Sequence, residues 1–156
     1  MLFLKPGQRE GLSVKKVRAH GSPDKRAVTV GFSLPLSAEV VRGLPKNVQD
    51  EYRGMKSAGT GVTVVEFDST VDSQNIEFFR LPKTRDVDFK MLDVDLEDLC
   101  LERTDAKDVV LTFKVTFGMT KSAWDWIWYA FTREVFAEFQ ECQQELDVKE
   151  APGPSN

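Results

Sequence analysis

A chain of 156 residues, 41% apolar and 29% charged, holds enough material for one buried core and reads as a single domain over 1–147, with residues 148–156 a disordered tail. Two distant cysteines, Cys100 and Cys142, exclude a disulfide framework and a thiolate metal site. The net charge of −4 conceals an asymmetry: residues 1–60 carry eleven Lys and Arg against five Asp and Glu, and residues 61–156 carry ten against twenty.

Residues 1–4 suit a short edge strand ended by Pro6-Gly7, and the few residues before Lys5 are too short an apolar run for a leader. No run reaches membrane-spanning length, so the expectation is a cytoplasmic protein with no membrane partner. Residues 12–19 alternate imperfectly, residues 27–34 carry Val28, Val30 and Phe32, and 20–25 between them is turn chemistry, which predicts a β-hairpin with His20 solvated in its turn. Ser37 caps a short helix over 38–42, and a second helix runs over 47–55 until Gly59-Thr60-Gly61 ends it. An antiparallel meander follows: strands over 62–67 and 75–81, a turn at 82–86, an acidic run of alternating residues over 87–101, a turn at 104–107, and the plainest strand over 109–117.

Residues 122–146 read as one long amphipathic helix. Trp124, Ile127, Trp128, Phe131, Val135, Phe139, Cys142 and Leu146 recur at three- and four-residue spacing, a stripe about 36 Å long that must be buried across a sheet. The fold class expected is therefore α+β: a mainly antiparallel sheet, hairpin plus meander, with a short helical insert and the long C-terminal helix packed on it. On that helix Trp126, Tyr129 and Phe136 project away from the stripe and predict a protein interface, with a partner or within a homo-oligomer. Glu141, Glu145 and Asp147 crowd the helix end, where the backbone dipole favours cations.

No motif of nucleophile, phosphate-loop or cofactor chemistry is present: there is no G-x-S-x-G, one histidine, and no glycine-rich loop followed by lysine. Lys15, Lys16, Arg18, Lys25 and Arg26 on the hairpin would track phosphates in a nucleic-acid-binding accessory protein, although single-strand binders also expose stacking aromatics. Asp93, Asp95 and Glu97 on one strand face would suit a hard cation or acid–base work in a carboxylate enzyme, or form a solvated edge. The reading that fits the whole chain is a binding or accessory protein, without a cofactor or resident metal, acting through protein contact rather than catalysis.

Overall fold

The structure, a computed structural model, describes residues 8–57, 63–103 and 108–141. The strand over 1–4, the Gly59-Thr60-Gly61 break, the turn at 104–107, Cys142 and the tail over 148–156 lie outside the described residues. Seven strands and three helices follow in the order β1 (Glu10–Ser22), β2 (Lys25–Pro35), α1 (Ala38–Val41), α2 (Lys46–Ser57), β3 (Thr63–Glu66), β4 (Val71–Phe79), β5 (Phe89–Arg103), β6 (Val109–Gly118), α3 (Lys121–Ala130) and β7 (Glu134–Glu141).

The architecture is a closed six-stranded antiparallel barrel, and the expected α+β sheet with a long helix across it is overturned. Around the ring the order is β5-β4-β7-β1-β2-β6, and β6 returns to β5. Closure depends on β5, the longest strand, changing neighbours along its length. Its first half pairs with β4 from Phe89↔Phe78 to Leu96↔Val71, and from Glu97↔Lys114 onward its opposite edge pairs with β6. β3 then takes the edge that β4 has left, pairing with Cys100 to Arg103 outside the ring. Asp93 and Asp98 adopt positive φ (52° each) beside the register shifts on β5, which bend this strand around the barrel.

Alternation fills the interior. Leu12, Val28, Phe32, Leu34, Ile76, Phe78, Leu96, Leu111, Phe113 and Phe139 point inward and are almost wholly buried. A small barrel leaves room for such side chains and little else. Ser37 caps α1 through its hydroxyl, which accepts from the Val40 N–H, and Val40, Leu44, Val48 and Met55 carry α1 and α2 onto the core. Arg103 at the end of β5 is buried, and its guanidinium donates to the Met55 carbonyl at 2.6 Å and to the Thr63 hydroxyl at 3.4 Å.

The long helix expected over 122–146 is two elements. α3 starts where Thr120 accepts from the Ala123 N–H and stops at Ala130. Phe131 has an extended ψ of 127°, Thr132 turns at φ 64°, and β7 begins at Glu134. In β7, Val135, Ala137 and Phe139 are buried while Glu134 and Gln140 are exposed, a two-residue period. β7 is hydrogen-bonded on both edges, to β1 and to β4. Glu134, Glu138 and Gln140 fall on the outer phase of this strand, and Glu145 and Asp147 lie outside the described residues.

Thr132 is β-branched, exposed and left-handed, a conformation that costs such a residue about 1–2 kcal/mol. Its N–H donates to the Val14 carbonyl at 3.1 Å, so the turn must be kept. Thr132→Gly is expected to stabilise the fold by about 0.5–1 kcal/mol after the entropy of the glycine is counted. Thermal melting measures this, and a lower Tm would contradict the strain.

Candidate functional site

α3 sits over the barrel with two faces, and both are aromatic. Ala123, Trp126, Ile127 and Ala130 are buried, at spacings of three, four and seven. The Trp126 ring is stacked against Phe89 at 4.9 Å and tilted against Phe78 at 4.5 Å and Phe32 at 6.5 Å. Its indole N–H has no hydrogen-bond partner among the described residues. The outer face carries Trp124, Trp128 and Phe131, which are 44%, 70% and 45% exposed. Trp124 and Trp128 meet edge to face at 5.8 Å and form a standing ridge.

The trio expected to make an interface does not form one patch. Trp126 is core. Tyr129 is half-buried between two guanidiniums, Arg80 at 3.8 Å and Arg133 at 5.0 Å from its ring. Phe136 is half-buried on β7, its ring edge 3.3 Å from where a side chain on Gly11 would start, so it shields a bare stretch of backbone. The residues at the surface, Trp124, Trp128 and Phe131, are among those the helical stripe assigned to the core. On a helix of ten residues the two faces have the same spacing. The discriminating signal was Ala123 and Ala130, small residues where a helix approaches a barrel closely.

The basic residues of the hairpin are all exposed. A bulge between Val14 and Lys16 sets Lys15 and Lys16 both outward, which explains the imperfect alternation of this strand. Across the outer wall Arg18 lies opposite Thr29, which lies opposite Thr116, and Lys16 opposite Gly31, which lies opposite Lys114. His20 stands on β1, not in the turn, and a ring nitrogen is 2.9 Å from the Thr29 hydroxyl, itself 2.8 Å from that of Thr116. Pro23 and Asp24 alone make the turn.

This wall slopes into a cleft shared with β5. Lys15, Lys16, Asp98, Glu102, Thr112 and Lys114 line a space of about 300 Å³, which runs on past Glu66, Asp68 and Cys100 into one of about 700 Å³. Lys114 and Asp98 bridge the seam at 3.4 Å. The cleft is of mixed sign, so the basic half of the sequence is partly neutralised by the acidic half. Burial pushes the Cys100 thiol up, with Glu102 and Glu66 adding to the effect and a hydrogen bond to Thr112 opposing it. A thiol so placed is a poor nucleophile at neutral pH.

The acidic strand is put to structural use. Asp95 accepts from the Ser73 N–H at 2.9 Å and Asn75 accepts from the Asp93 N–H at 2.8 Å, holding the bulges where β4 and β5 slip register. Among the described residues no group of three or more His, Cys, Asp or Glu side chains converges on a point. No helix among them is long and apolar enough to cross a membrane. Compared with protein-family models, curated proteins and solved structures, the chain matches none.

Proposed function

We propose that this is a non-catalytic binding protein whose principal contact is the outer face of α3, laid into an apolar groove on a protein partner. One observation carries the reading: Trp124 and Trp128 stand exposed at i and i+4 on a helix whose opposite face is locked into a barrel, with exposed Phe131 following at its C-cap. That spacing is how a docked helix presents its anchors, and tryptophan is the side chain most enriched among residues that dominate binding energy. Because α3 is already folded and held by Trp126, docking would require no ordering of the helix. Arg133, over the Tyr129 ring, adds a cation beside this face, while Arg80 over the same ring is paired with Asp88 at 3.1 Å.

Nucleic acid is the weaker reading. The hairpin cations share their wall with Asp98 and Glu102, and the rings of that wall, Phe32 and Phe113, are buried. The test is a photo-crosslinker placed at Trp128 of the full chain, with the same group at exposed Lys56 on α2 as control, in extract of the source cells. A discrete protein adduct from position 128 alone, lost when Trp124→Glu is added, is the expected result. An adduct of twice the chain's own mass would make the partner a second copy. No adduct, or the same ladder from both positions, would end the reading.

A further inference from the structure

Among the described residues, the far half of β1 has one edge bonded and one edge without a strand partner. β7 pairs with Glu10 to Ser13, and the Phe131–Arg133 turn takes over at Val14, whose N–H donates to the Arg133 carbonyl and whose carbonyl accepts from the Thr132 N–H. Beyond that point, from residue 16 to residue 22, β1 pairs with β2 on one side and with no described strand on the other. The antiparallel register fixes which groups face outward. Lys16, Arg18 and His20 stand in the bonded positions opposite Gly31, Thr29 and Ala27, so the N–H and C=O groups of Val17, Ala19 and Gly21 point away from β2. Ala19 and Gly21 are exposed as well, on a ribbon that extends past the start of β7.

We propose that this edge is a strand-addition site for an extended acidic segment of a protein partner, separate from the ridge on α3 and not dependent on it. Backbone groups of Val17, Ala19 and Gly21 would supply the ladder. Arg18, with Lys25 and Arg26 across the ribbon, would supply the selection, and Lys15 and Lys16 add to it from the rim of the cleft they share with Asp98 and Glu102. The same charges argue against a second copy as occupant. Antiparallel pairing of two β1 edges would bring two sets of Lys15, Lys16 and Arg18 together, where like charges repel. The edge is thus disfavoured for a second copy of itself and favoured for an acidic strand.

The test is residue-resolved amide exchange on the full chain, with alternating Glu/Val and Lys/Val peptides of about eight residues as probes. In the free protein, Val17, Ala19 and Gly21 are expected to exchange freely while Arg18 and His20 are protected. The Glu/Val peptide at ten times its Kd should slow the three amides about ten-fold, and the Lys/Val peptide should leave them unchanged. Ala19→Pro, which removes an outward N–H without touching the β1–β2 ladder, should abolish the response. Lys16→Glu with Arg18→Glu leaves three cations against three acids over residues 15–26, so the preference for Glu/Val should be lost, and this variant decides the matter if the proline variant does not fold. Protection already present in the free protein, equal response to both peptides, or no response to either would overturn the proposal. A short DNA duplex is added as a third probe, and a response confined to it would overturn the proposal in favour of a nucleic-acid ribbon.

Discussion

Trp126→Ala is expected to remove about 3–5 kcal/mol of stability, the range for emptying a large aromatic site in a core that relaxes only partly. Its ring touches Phe78, Phe89 and Phe32, which belong to three different strands, so one deletion loosens the barrel wall in three places. Total stabilities of domains are about 5–15 kcal/mol, and the variant would be close to unfolding at 37 °C. Trp126→Phe should cost far less, because the indole N–H it removes is buried without a partner among the described residues and is itself a penalty of about 1–3 kcal/mol. Trp128→Ala, on the outer face, should stay within about 0.5 kcal/mol of the parent. Urea unfolding separates the three. Fluorescence gives an independent reading, since Trp126→Phe deletes the one tryptophan that water does not reach and the emission should move to the red. A larger loss at Trp128 than at Trp126 would mean that α3 is turned over.

Arg103→Ala is expected to cost about 3 kcal/mol. The guanidinium is a buried cation at the C-terminal turn of α2, where the helix dipole favours positive charge, and its 2.6 Å bond to the Met55 carbonyl fixes α2 onto the barrel. The second bond, to Thr63, ties β3 to the same point. Arg103→Lys keeps the charge and loses the fork, so it should recover only part of the loss. Urea unfolding measures both, and amide exchange adds a local check: α2 should exchange faster in both variants while the amides of β1, β2 and β7 keep their protection relative to global unfolding. Uniform acceleration throughout would show that Arg103 contributes to the barrel generally rather than as the pin of α2.

Much of the strand content was legible because barrel strands alternate. Residues 109–117 declare themselves through Leu111, Phe113 and Val115 against Thr112, Lys114 and Thr116, and the hairpin through Val28, Val30 and Phe32. Ser37 announced α1 by the same capping bond that forms. The failure lies in residues 131–141. Apolar residues at Phe131, Val135 and Phe139 satisfy a helical period of four and, being an even number apart, a strand period of two as well. The intervening residues break the tie: Phe136, Glu138 and Gln140 alternate with Val135, Ala137 and Phe139, and no glycine or proline marks the turn at Thr132. Closure itself has no local signature. It depends on β5 switching neighbours at Glu97, a matter of which edges are free once the other strands are placed. The site followed the same error, since a stripe extended over too long a helix put Trp124, Trp128 and Phe131 inside and Trp126 outside.

The position of β7 has a consequence for how this molecule comes into being. It is the last strand in chain order among those described, yet it lies between the fourth and the first. As the polypeptide is synthesised, β1 and β2 can zip early, and β4 and β5 can follow, but the edges at Glu10 to Ser13 and at Gln74 to Phe79 stay vacant until residues 134–141 arrive. A ribosome adding about 5–20 residues per second leaves those two sticky edges waiting for several seconds. Folding should therefore be limited by this final insertion, a slow step typical of chains whose contacts join distant positions. During that interval the nascent protein is most open to chaperones and to misassembly with its neighbours.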